Sequence, residues 1–88
     1  MRIELLTHPG CPNAEQTRHV VRDCLQALNI HAEITETVGD HPSPTVLIDG
    51  VDAMTGHIPV EHGRACRLDL PTRVRIVAAL RSSVAGTP

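Results

Sequence analysis

Apolar residues recur along the chain in two rhythms, one of period two and one near 3.6. In residues 2–7 (RIELLT), Ile3 and Leu5 alternate with Arg2 and Glu4, which predicts a strand. Thr17, Val20, Val21, Cys24, Leu25 and Leu28 then fall at helical spacing, so residues 12–28 read as a helix stopped at Asn29. Residues 31–38 (HAEITETV) return to alternation, with Ala32, Ile34 and Glu36 set against His31, Glu33, Thr35 and Thr37. After the break GDHPSP comes a third strand, TVLIDG (45–50), ending in Asp49-Gly50. That dipeptide is a strong hairpin signal, so Val51 to about Met54 should return as a short fourth strand. Residues 55–70 read as a loop. PTRVRIVAALRSS then reads as a second helix, begun by Pro71 or Thr72, with Val74, Val77, Ala78 and Leu80 to bury. Residues 83–88 read as a flexible tail.

Composition narrows the function classes. The 88 residues suit one small domain, placed at 1–82. There is no Phe, Trp or Tyr, so the core must be built from Leu, Ile, Val and Ala. A formal charge of −2 argues against nucleic acid and anionic membranes as partners, and the chain offers no aromatic platform for stacking bases. No stretch approaches the roughly 18 apolar residues of a membrane span, and MRIELLT is too short for a signal peptide. The cytoplasm is the expected location. There, three cysteines point to free, catalytic or metal-binding thiols rather than to a disulfide framework.

One cysteine stands out by position. In LLTHPGCPNAEQ (5–16), an apolar run stops at His8-Pro9-Gly10, Cys11 follows, and Pro12 suits the first position of a helix. A cysteine at a helix N-cap sits beside unpaired N–H groups and the positive end of the helix dipole. Both favour the thiolate, which raises nucleophilicity and metal affinity, while Glu15 opposes them. The plain alternative is a small residue tolerated at a turn. Cys24 lies on the apolar stripe of the first helix and reads as inert core. Of six histidines, His8, His41, His57 and His62 fall in loops, without the spacing of a metal motif. Solvated loop histidines are the simpler account, and no cofactor is expected.

The order strand, helix, strand, strand, hairpin strand, helix, with a thiol at the first strand–helix junction and Ser43-Pro44-Thr45 entering the third strand, resembles the thioredoxin-like fold at glutaredoxin size. More closely, IELLTHPGCPNA, SPTVLIDGVD and GRACRL look like short bacterial thioredoxin-like proteins, often labelled alkylmercury lyase. The resemblance spans roughly residues 2–80. It implies a cis proline at Pro44 facing the reactive Cys11. Two features depart from the family pattern. The Cys-x-x-Cys signature is here Cys11-Pro12-Asn13-Ala14, and only Val38 to Pro42 separate the second and third strands, where a helix is expected. Five residues reach about 17 Å when extended, enough to cross two strand spacings of about 10 Å in all.

The fold expected from this is an α/β class, a reduced thioredoxin-like two-layer sandwich: a four-stranded mixed sheet with two helices on one face. Ile3, Leu5, Ala32, Ile34, Val46 and Ile48 should lie under the helices. Arg2, Glu4, Glu33, Thr35, Thr45 and Asp49 should line a bare opposite face, where Leu6 and Leu47 form a candidate homodimer contact. In such a sheet the loop 55–70 returns to the end that carries Cys11. Cys66, flanked by Arg64 and Arg67, then becomes a second or resolving thiol, against the plainer reading of a small buried residue. Three functions follow. In the first, Cys11 attacks a disulfide of a protein or small molecule and Cys66 resolves it. In the second, the same two thiolates hold a soft metal ion or an organomercurial, with Asp40 or Asp49 protonating the leaving carbon. The third is a non-catalytic binding module.

Overall fold

The computed structural model describes residues 1–59, 65–67 and 70–85; for Ala65, Cys66, Val84 and Ala85 it describes the backbone alone. The chain runs β1 (Ile3–Thr7), α1 (Ala14–Ala27), β2 (Ile34–Val38), β3 (Pro42–Ser43), β4 (Thr45–Ile48), β5 (Val51–Asp52), β6 (Ala65–Cys66) and α2 (Arg73–Ala85). Four strands form one mixed sheet in the order β2-β1-β4-β5, and β3 pairs with β6 in a separate two-stranded ribbon. β2 is parallel to β1, with Ile3 opposite Ile34 and Thr7 opposite Val38. β4 is antiparallel on the other edge of β1, with Ile3 opposite Ile48 and Leu6 opposite Thr45. The molecule is thus a small mixed α/β globule with a four-stranded sheet and two helices. No described helix is long and apolar enough to cross a membrane.

The period-two pattern sends Ile3, Leu5, Val46 and Ile48 to one sheet face. There they form the core with Val21, Cys24 and Leu25 of α1 and Ile76 and Leu80 of α2. Ile3, Cys24, Val46, Ile76 and Leu80 are wholly excluded from solvent. Both helices therefore share this face. β2 is the polar edge. Its Glu36 lies on the helix face and is reached by Arg18 of α1, an ion pair that accommodates a carboxylate there.

Turn chemistry follows the sequence closely. α1 ends where Asn29 takes a left-handed conformation, φ 55°. The Ile30 N–H donates to Leu25 O at 2.9 Å and the Asn29 N–H to Gln26 O at 3.1 Å. This is a Schellman closure, with Ile30 and Leu25 supplying its apolar contact. Asp49 and Gly50 both have positive φ, 52° and 85°, as the two central residues of a type I′ hairpin turn require. The Ser43–Pro44 peptide bond is cis, as expected.

Several expected boundaries move. β2 begins at Ile34 rather than at residue 31. β5 stops at Asp52 rather than near Met54, because the Asp52 carbonyl accepts from the Gly56 N–H and its Oδ1 from the Met54 N–H, both 2.8 Å, so the chain turns there. α2 buries Ile76 and Leu80, while Val74 is 78% exposed and Ala78 is exposed too. The helix runs on to Ala85, and Ser83 is bonded to Asp49, so residues 83–85 are not tail. Residues 86–88 lie outside the described residues.

The face opposite the helices is not bare. Thr45, Leu47 and Asp52 on it are 3%, 8% and 5% exposed. Arg67 lies across it, donating from Nη1 to Asp52 Oδ2 at 2.7 Å and to Thr45 Oγ1 at 3.2 Å. The expected Leu6–Leu47 dimer patch is therefore half lost, since Leu47 is buried within the chain and only Leu6 is partly exposed.

Two outcomes test these readings. A residue other than glycine is disfavoured in the left-handed region, by about 1–2 kcal/mol for most side chains, with asparagine among the least affected. Asn29→Ala should cost about 1 kcal/mol in urea denaturation, and Asn29→Gly should cost nothing or stabilise; equal losses would contradict the closure. Burial pushes the Cys24 thiol up from its ordinary value. The folded state thus holds this proton more tightly than the unfolded chain, and the stability it contributes is lost as pH rises beyond the ordinary thiol range near 8.5. Between pH 8 and 10 the native chain should lose more stability than Cys24→Ala; parallel declines would show that Cys24 is not the group responsible.

Candidate functional site

Pro9 and Gly10 build the turn that presents Cys11. The Cys11 N–H donates to His8 O at 3.2 Å, and Gly10 has φ 78°. Pro at the second position and a positive-φ Gly at the third are what a type II turn requires. Cys11 emerges from it half-buried. The turn continues through Pro12, and Asn13, not Cys11, is the cap residue of α1. Pro12 is accordingly outside the helix. The expected N-cap cysteine is displaced two residues upstream because the first helical bond runs from the Thr17 N–H to Asn13 O, 3.1 Å, doubled by Thr17 Oγ1 at 2.9 Å. Asn13 makes no side-chain capping bond, so its side chain accepts none of the first-turn N–H groups ahead of Cys11. Glu15 points instead to His19, 3.8 Å away on the exposed side of α1.

The C-terminal end of β1 collects the other candidates. Thr7 O accepts from the Gly39 N–H at 2.8 Å, which brings Asp40 and His41 to this end. β3 lies against β1, and its Ser43 is followed by the buried Pro44. β6 runs parallel to β3, with Pro42 opposite Ala65 and Ser43 opposite Cys66. The backbone of Cys66 is therefore one strand spacing, about 5 Å, from that of Ser43. Cys11, Asp40, His41, Pro44 and the Cys66 backbone share one end of the sheet.

Other candidates go elsewhere. Asp49 stands at the opposite end, about 13 Å along β4 from Thr45. It is occupied there: its Oδ1 accepts from the Arg2 N–H at 2.7 Å and its Oδ2 from Ser83. These bonds hold its carboxyl below the ordinary range, the Ser83 bond foremost. Asp49 is an anchor of the hairpin and is removed as a proton donor to anything held by Cys11. His57 is exposed in the turn after β5, and its carbonyl accepts from the Asp52 N–H. His19 and His31 lie away from Cys11. Among the described residues no three His, Cys, Asp or Glu side chains are grouped as a metal ion needs. The expectations for His62 and Arg64 fall outside the described residues. A cleft of about 560 Å³ between the β4–β5 hairpin and α2, with Arg75 and Ser83 on its wall, contains no thiol.

Two features escaped the sequence. Arg67 was expected to flank a Cys66 thiolate, but its guanidinium is engaged by Asp52, both side chains about nine-tenths buried. The hairpin register pairs Asp52 with Leu47 and so sends it to the face opposite the helices; no spacing rule links it to a residue 15 positions on. The second is Ser43, 1% exposed, whose Oγ has no hydrogen-bond partner among the described residues. A buried, unpaired hydroxyl costs about 1–3 kcal/mol, and it sits in the strand beside Cys66.

No family model, curated protein or solved structure matches this chain.

Proposed function

We propose that the protein is a thioredoxin-like thiol–disulfide exchange protein with Cys11 as attacking thiol and Cys66 as resolving thiol. The observation that carries this reading is the sheet order β2-β1-β4-β5, with a half-buried thiol at the β1–α1 junction and β6 in register with the strand before Pro44. The cis Ser43–Pro44 bond agrees with it. The Cys11 thiolate attacks one sulfur of a partner disulfide, forming a mixed disulfide and releasing the other partner sulfur as a thiolate, which takes up a proton. The Cys66 thiolate then attacks the Cys11 sulfur, forming Cys11–Cys66 and releasing the second partner thiol. Two electrons pass to the partner. An external dithiol or glutathione must return them.

Organomercurial handling would use the same two thiols, but it needs an acid beside them. With Asp49 held at the far end, Asp40 is the remaining candidate from the sequence. Thiol exchange requires no such acid.

Disulfide mapping tests the pair. Mild oxidation followed by digestion should yield a Cys11–Cys66 peptide, and Cys66→Ser should instead accumulate a mixed disulfide at Cys11. A chain that stays fully reduced, or that links only through Cys24, would sink the two-thiol reading. Brief alkylation of the native protein at neutral pH should label Cys11 before Cys66, with Cys24 modified only on unfolding. Early labelling of Cys24, which is fully buried, would contradict both the site and the core.

A further inference from the structure

β6 has only two residues and pairs with only two residues of β3. A two-stranded ribbon of that length does not hold itself together in water. β3 is held by its contacts with β1, and what ties β6 to the four-stranded sheet is the residue after Cys66. The Arg67 N–H donates to Ser43 O at 2.9 Å, extending the β3–β6 pairing by one bond. The Arg67 guanidinium reaches over β4 to Asp52 on β5, and to Thr45. Thr45 Oγ1 in turn donates to Pro42 O at 2.6 Å. Asp52 is itself pinned, since its Oδ1 accepts from Met54 N–H while Oδ2 receives Arg67. One arginine thus bridges β3, β4, β5 and β6 at the residue next to the second cysteine.

We propose that the Asp52–Arg67–Thr45 clamp is the positioning device for Cys66: it holds the backbone of residues 65–67 against β3, at the Cys11 end of the sheet. Arg67 and Asp52 are thereby assigned as positioning residues, acting through the backbone of residues 65–67. The inference rests on the Cys11–Cys66 reading above and adds what fixes the second thiol. A buried ion pair is a poor source of net stability, because desolvation offsets most of the attraction. Its use here is geometric: a rigid bidentate-capable fork fixes a short strand where ladder bonds alone would not.

The clamp raises the effective concentration of Cys66 at Cys11, and this is measurable. Wild-type chain, Arg67→Lys and the neutral double variant Asp52→Asn/Arg67→Met are equilibrated in graded glutathione buffers, quenched by alkylation and mapped by mass spectrometry. The double variant removes both charges, so neither is left buried alone. Asn29→Ala, remote from the clamp, serves as a control of reduced stability. The ratio of Cys11–Cys66 bridge to Cys11–glutathione mixed disulfide should fall at least tenfold in the double variant and by less in Arg67→Lys. It should not move in Asn29→Ala, and the alkylation rate of Cys11 should be the same in all folded chains. An unchanged ratio in the double variant would overturn the clamp while leaving the thiol pair standing. Absence of the bridge in the wild-type chain would overturn the pair, and the clamp with it. A double variant that fails to fold, with Arg67→Lys folded and unchanged in ratio, would show the ion pair to be structural only and would equally overturn the proposal.

Discussion

β1 is the constraint on which everything else depends. It is bonded along both edges, parallel to β2 and antiparallel to β4, and its pairings with them are the longest in the sheet. Its Ile3 and Leu5 lie at the centre of a core that has no aromatic side chain to fill it. Pleating makes the consequence unavoidable. With Ile3 and Leu5 committed to the helices, Glu4 and Leu6 must face the other way, and a one-residue slip would exchange the two sets. The same register sets both ends of the molecule. Leu6 opposite Thr45 brings the β3–Pro44 segment to the end from which the chain turns into Cys11. Ile3 opposite Ile48 brings Asp49 to the other end, where Arg2 and Ser83 hold it.

What was legible in the sequence was what local chemistry decides. Alternation over residues 3–7 and 45–48, the Asn29 stop and the Asp49-Gly50 turn each depend on residues within a few positions of one another, and all appear where expected. What was not legible depended on distant partners. The sequence starts the first helix two residues too early because Pro12 suits a first helical position. The chain instead spends Cys11, Pro12 and Asn13 on a turn, since the first helical bond closes on Asn13. The α2 stripe was rotated for a related reason. Val74, Val77, Ala78 and Leu80 fit one helical face, but Ile76 and Leu80 fit another equally well. The choice was made by where α1 and β4 leave room, which no spacing within α2 reveals.

The two sheet faces show how a chain this short manages its surface. Helices cover one face with apolar contact, whereas the other lacks the crossover helix that residues 39–44 are too few to form. The sequence reading left that face bare. In the structure part of its cover is a polar side chain: Arg67 buries its stem over β4 and satisfies its head on Asp52 and Thr45. This is how a long cationic side chain does apolar service. The alternation correctly placed Thr45 on this face, and the observed hairpin register adds Asp52 to it. It could not say that they would be joined.

The two ends of the sheet are held in different ways. The hairpin end is locked by Asp49, which ties the first residues of the chain to the last turns of α2 through Arg2 and Ser83. The Cys11 end is made of a proline–glycine turn, a two-residue ribbon and a buried serine hydroxyl without a partner among the described residues. An unsatisfied buried hydroxyl works against stability. Its presence in the strand beside Cys66 and before Pro44 is an expense accepted at one place only among the described side chains. Strain and unpaired polar groups collect where a molecule must accommodate something other than itself. The same end of the sheet carries the half-buried thiol. The unpaired hydroxyl and the half-buried thiol thus lie at the same end of the sheet, opposite the end that Asp49 holds.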